Sequence, residues 1–128
     1  MAKRILVVDD DLAVLELLRR SLGSAGFEVI TARDGAAGLL LADAHRPDLL
    51  IVDLAMPRLH GFDTIRRLRE RPVTERIPII VLSAHVPDHM PRQWMGTVQL
   101  CLTKPFAADA LVAAVQRILS IGPAEAAG

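Results

Sequence analysis

Leu49-Leu50-Ile51-Val52-Asp53 is four apolar residues closed by a carboxylate, and its reading decides the fold. A half-exposed strand alternates apolar and polar residues. A continuous apolar run of this length suits a strand covered on both faces, as in a parallel sheet. Working outward, Ile5-Leu6-Val7-Val8, Phe27-Glu28-Val29-Ile30, the run from Ile77 to Leu82, and a weaker Val98-Gln99-Leu100-Cys101-Leu102 repeat the theme.

Helix-like stretches separate these runs. Leu15, Leu18 and Leu22 recur at helical spacing after Asp10 or Asp11, either of which can cap the start, with Gly23 and Gly26 as the stop. Residues 36 to 44 follow Asp34, and Phe62, Ile65 and Leu68 stripe a third helix. Leu111, Val115 and Ile118 stripe the last one, which Pro105 helps to start. Strands alternating with helices imply right-handed crossovers, so the expected architecture is α/β: one doubly wound, five-stranded parallel sheet with helices on both faces. Residues 85 to 96 stand where the fourth helix belongs but carry Pro87 and Pro91, so a short or irregular helix is expected there.

Size and composition set bounds. At 128 residues the chain matches one ordinary domain, expected over residues 1–120, with 121–128 as a flexible tail and no second domain after Leu119. Fifteen basic and fifteen acidic residues leave no net charge, which argues against direct nucleic-acid binding. The arginines at 58, 66, 67, 69, 71 and 76 are read as a solvated helix face and its flanking loop. No apolar run approaches the ~20 residues of a membrane span, so no membrane insertion is expected. The lone Cys101 fits a reducing compartment, and a cytoplasmic location is expected.

In a doubly wound sheet, sites form at the carboxyl ends of the strands. The first run ends in Asp9-Asp10-Asp11, the third in Asp53, the fourth in Ser83 and the fifth in Thr103-Lys104. Carboxylates, a hydroxyl and an ammonium therefore gather at one edge. Asp9, Asp10 and Asp53 would repel one another unless they protonate or take up a cation, and oxygen ligands of this kind suit Mg²⁺. An ionised aspartate can attack phosphorus, and the transferred group needs a metal, a cation and hydrogen-bond donors around it. For Asp11, helix capping is the expected role.

Val7-Val8-Asp9-Asp10, Asp53-Leu54-Ala55-Met56-Pro57 with Gly61, Leu82-Ser83-Ala84 and Thr103-Lys104-Pro105-Phe106 together resemble the response-regulator receiver family of two-component signalling systems, over about residues 3 to 119. The resemblance implies strand order 2-1-3-4-5 and a cis Lys104–Pro105 bond. It implies that Asp53 is the phosphoacceptor. Asp10 and Asp53 would ligate Mg²⁺, with Asp9 acting through water and the Ala55 main-chain carbonyl as a further ligand. Ser83 would bond a phosphoryl oxygen and Lys104 would pair with the group. The implied donor is a histidine kinase or phosphotransfer protein, and phosphorylation would switch binding to a downstream protein target. Rather than an enzyme, the chain would be a phosphoacceptor that assists its own phosphorylation and dephosphorylation.

The chain departs from the family pattern at Cys101, where an aromatic residue is usual, and in the proline-bearing segment before it. His85 and Ala55 occupy positions that tune phosphoryl loss in the family. Two other readings compete. One is a receiver-like binding module that acts without phosphorylation. The other is a small phosphatase of the haloacid dehalogenase type, with Asp9 and Asp11 as its acidic pair; it leaves the Asp53-to-Gly61 motif unexplained.

Overall fold

Five parallel strands and four helices are seen in the computed structural model, which describes residues 2–54, 61–84 and 98–120. The expectations for Ala55, for the segment 85–96 and for the tail 121–128 fall outside these residues. The strands are β1 (Arg4–Val8), β2 (Glu28–Ala32), β3 (Leu49–Asp53), β4 (Ile79–Ser83) and β5 (Val98–Thr103). The helices are α1 (Leu12–Ser24), α2 (Gly35–His45), α3 (Gly61–Arg69) and α4 (Ala108–Leu119). The sheet order is β2-β1-β3-β4-β5, as the family resemblance implied, and every pairing is parallel, as the apolar runs implied.

Successive side chains on a strand point to opposite faces. Leu6, Val8, Leu50, Val52, Ile79 and Val81 therefore join one core with Leu39 and Ala42 of α2 and Ile65 and Leu68 of α3. Their neighbours Ile5, Val7, Leu49, Ile51, Ile80 and Leu82 join a second core with Leu15, Leu18 and Leu22 of α1 and Leu111 and Val115 of α4. Each fully buried Leu or Ile contributes about 1.5–3 kcal/mol relative to exposure. This two-sided burial is the physical reason the central runs read as unbroken apolar stretches.

Two strand boundaries move from the sequence expectation. β2 starts at Glu28 and continues through Ala32, because Phe27 N–H is drawn back to the Leu22 carbonyl at the end of α1. β4 starts at Ile79, because Pro78 has no N–H to offer the ladder; its carbonyl accepts from Leu50 N–H at 3.0 Å.

The helix ends follow local chemistry. Asp11, not Asp10, caps α1, accepting from Ala13 N–H at 2.9 Å, and Asp34 caps α2, accepting from Ala37 N–H at 2.8 Å. Gly23 lies inside α1, so only Gly26, at φ 96°, supplies the left-handed turn that stops it. α2 ends on a non-glycine left-handed residue, Arg46 at φ 47°, followed by Pro47. The first residue of α4 is Ala108, three beyond Pro105, and no side chain caps it. Pro105 thus ends the β5 connection rather than starting the helix.

Candidate functional site

The strand ladders carry the backbone all the way to the site. Asp9 N–H donates to the Ala32 carbonyl at 3.0 Å, tying the residue after β1 to the end of β2. Leu54 N–H donates to the Leu82 carbonyl at 3.0 Å, and Lys104 N–H donates to the Ser83 carbonyl at 2.8 Å. Because these main-chain groups are paired, the positions of the side chains at the sheet edge are set by the sheet itself. The Lys104–Pro105 peptide bond is cis, as the resemblance implied.

Asp9, Asp10 and Asp53 each present a carboxylate oxygen, and these oxygens lie within 4.8 Å of one another. Asp9 is fully buried and Asp53 almost so, at 0% and 3% exposure, whereas Asp10 is exposed. Lys104 reaches between them. Its Nζ lies 2.7 Å from Asp9 Oδ2 and 3.2 Å from Asp53 Oδ2. The contact with Asp53 is a hydrogen bond. The closer contact with Asp9 is an ion pair without hydrogen-bond angles, so Asp9 Oδ2 is a buried oxygen with no directed hydrogen bond. The other oxygen, Asp9 Oδ1, accepts from Asp11 N–H at 2.9 Å. Ser83 ends β4, almost fully buried, in register with Thr103 and next to Leu82, the register partner of Asp53.

The electrostatics follow from this geometry. Burial pushes the Asp9 carboxyl above the ordinary carboxylate range, and the charge of Asp53 adds to the push; Lys104 and the Asp11 amide oppose it. For Lys104, burial works against the ammonium. The Asp9 and Asp53 carboxylates outweigh that cost and hold its pKa above the usual lysine value. One ammonium faces three carboxylates, so the cluster carries an excess of negative charge.

A divalent cation fits this donor set. Asp9 Oδ2 is a buried oxygen lacking a directed donor, the three carboxylates offer hard oxygens only, and their net charge is that of a site built for a cation.

Sequence reasoning brought together Asp9, Asp10, Asp53, Ser83 and Lys104, and the structure places all five at one sheet edge. Asp11 stands apart from the carboxylate cluster, its side chain engaged at the α1 N-terminus. The sequence reading overlooked the end of β2. Taking that strand to stop at Ile30 hid Ala32, whose carbonyl anchors Asp9, and the pair Arg33-Asp34 that follows it. The alternating apolar positions running on to Ala32 were the available signal.

Comparison with known proteins agrees with this architecture. The family model described as "Response regulator receiver domain" matches residues 5–116. Response regulator MprA of Mycobacterium bovis is 42% identical over 122 residues, covering 93% of this chain and 51% of the relative. The chain thus spans about half the length of the curated relatives it matches. Among solved structures, the Vibrio cholerae chemotaxis protein CheY4 superposes with a TM-score of 0.85 at 29% identity, covering 93% of this chain and all of that one. Thermotoga maritima response regulator TrrA, solved in complex with Mg²⁺–BeF, gives 0.79 at 31% identity over 91% of this chain and 99% of that one. A parallel 2-1-3-4-5 sheet, a lysine bridging two buried aspartates at its carboxyl edge and a family match over nearly the whole chain lead to one assignment: this chain belongs to the response regulator receiver domain family.

Proposed function

We propose that Asp53 is the phosphoacceptor of this receiver domain and that phosphorylation there switches binding to a downstream protein. The observation that carries the proposal is the placement of Lys104 Nζ within 3.2 Å of Asp53 Oδ2 and 2.7 Å of Asp9 Oδ2. Asp53 is held as a nucleophile beside a fixed positive charge. In the transfer, a carboxylate oxygen of Asp53 forms a bond to phosphorus while the bond from phosphorus to the donor's leaving atom breaks. Lys104 offsets the charge on the incoming group, and Ser83, at the adjoining strand end, offers a hydroxyl to one of its oxygens.

Asp10 and Asp53 would hold Mg²⁺ directly, Asp9 through water, and the Ala55 carbonyl would complete the protein's share. Ala55 lies outside the described residues. When bound, Mg²⁺ supplies positive charge to the carboxylates and to the phosphoryl oxygens. TrrA, the relative solved with Mg²⁺–BeF, supports this reading. The domain is a signalling domain; we read its part in the transfer as acceptor, with self-assisted gain and loss of the group rather than turnover of a substrate.

The donor we infer is a histidine kinase or phosphotransfer protein, and the setting is the cytoplasm. Among the described residues, no helix is long and apolar enough to cross a membrane. A single phosphoryl group is expected on the intact mass after incubation with Mg²⁺ and acetyl phosphate. It should be absent without the metal and absent in Asp53→Asn. Phosphoryl uptake by Asp53→Asn equal to that of the native chain would reject the proposal.

A further inference from the structure

Among the described residues, the carboxyl edge of the sheet carries more negative than positive charge. Asp9, Asp10 and Asp53 form the cluster, Asp11 and Asp34 cap helices beside it, and Lys104 is committed between Asp9 and Asp53. A phosphoryl donor is itself an anion; bound Mg²⁺ would offset the Asp9, Asp10 and Asp53 cluster, but the Asp11 and Asp34 carboxylates beside it still repel the reagent. Among the described residues, one further cation stands there. Arg33 follows β2 directly, and Val8 and Ala32 are register partners, with Asp9 N–H bonded to the Ala32 carbonyl. The backbone of Arg33 is therefore about one strand spacing from Asp9 and about 10 Å, two spacings, from the end of β3. Arg33 is exposed, and its side chain makes no hydrogen bond or ion pair among the described residues.

We infer that Arg33 is a steering residue: its uncommitted charge beside the acidic edge draws anionic phosphoryl donors towards Asp53. This deepens the reading of Asp53 as acceptor and rests on it. The mechanism is long-range, so it makes demands that a packing role would not. A unit charge on a side chain whose backbone stands about 10 Å away acts appreciably on a dianion in dilute buffer and hardly at all once the screening length falls to a few Å. The effect must grow with donor charge, must reverse with the sign of the side chain, and must vanish in salt.

The test is the rate of phosphorylation of the native chain, Arg33→Lys and Arg33→Glu in Mg²⁺ with limiting acetyl phosphate, read by intact mass. At an ionic strength near ~20 mM, Arg33→Glu should react about fivefold more slowly than the native chain, and the ratio should shrink below about 1.5-fold near ~0.5 M. Arg33→Lys should keep the native rate. With phosphoramidate, a donor of lower net charge, the ratio at low salt should be smaller, while the rate at saturating donor should hardly differ between variants. Equal low-salt rates for the native chain and Arg33→Glu would overturn the inference. A loss in Arg33→Glu that is the same at every salt concentration and for both donors would overturn it as well, since that is the mark of a structural defect. Failure of the native chain and both variants to take up a phosphoryl group would instead reject the Asp53 reading beneath it.

Discussion

Asp9 concentrates the opposing forces of the site in one side chain. It is fully buried, has Lys104 Nζ 2.7 Å from one oxygen and takes a main-chain hydrogen bond from Asp11 on the other. Burial nonetheless prevails, and the folded protein holds this carboxyl above its ordinary pKa. An acid whose pKa is raised by folding costs stability once it ionises. The cost appears as pH rises through the folded pKa and is absent below the unfolded one. Replacing Asp9 by Asn keeps an oxygen for the Asp11 amide and removes the charge, while Lys104 keeps Asp53 as partner. Asp9→Asn should therefore raise the unfolding free energy at pH 7 in metal-free buffer. In denaturant titrations, that gain should shrink as the pH is lowered from 7 towards 4. Residue types were legible here because each functional side chain falls within two residues of the end of an apolar run. The direction in which Lys104 splits its charge between Asp9 and Asp53 was not, since it depends on the spacing of three strands that are distant in sequence.

At the scale of elements, α2 approaches β1 so closely that only glycine fits at the crossing. A Cβ on Gly38 would lie 2.8 Å from Val8 Cγ2. Val8 is itself buried and β-branched, so it has little room to turn away. Gly38→Ala gains helix propensity of up to about 1 kcal/mol, yet overpacking of this kind costs about 1–3 kcal/mol. Net destabilisation is expected in chemical unfolding, and Val8→Ala should relieve it in the double variant. The far end of the same helix offers the opposite case. Arg46 holds a left-handed conformation that glycine adopts without strain, and the Arg4 guanidinium already donates to the His45 carbonyl at 2.9 Å. Arg46→Gly should stabilise by up to about 1 kcal/mol, read as a rise in melting temperature. Helix positions were legible from the spacing of Leu15, Leu18 and Leu22 and of Leu111 and Val115. The α2 stop, expected at residue 44 and found at His45, was also legible, marked by Pro47 where the usual glycine is absent. The start of β2 was misjudged by one residue and the start of β4 by two. Phe27 and Ile77 are apolar enough to extend a run, but the hydrogen bonds of Phe27 and the missing N–H of Pro78 exclude them from the ladder.

For the whole molecule, the continuous apolar character of β1, β3 and β4 made a doubly covered parallel sheet legible, whereas strand order came only through the family resemblance. Apolar periodicity does not encode which strand neighbours which. The sheet brings five side chains together from positions 9 to 104, so occupancy of the site and global stability are linked. A cation that binds the folded edge and not the open chain must stabilise the fold, by about 1.4 kcal/mol at tenfold excess over its dissociation constant. The unfolding midpoint should thus climb with added Mg²⁺, and the rise should be much smaller in Asp10→Asn. The central claim, that Asp53 rather than Asp9 or Asp10 carries the phosphoryl group, is tested most directly by trapping the acyl phosphate. After incubation with Mg²⁺ and acetyl phosphate, borohydride reduces an aspartyl phosphate to homoserine. Tryptic digestion then separates the candidates, because Asp9 and Asp10 fall between Arg4 and Arg19 while Asp53 falls between Arg33 and Arg58. Homoserine at position 53 and at neither position 9 nor 10 is the expected result; homoserine at position 9 or 10 with Asp53 intact would contradict the account.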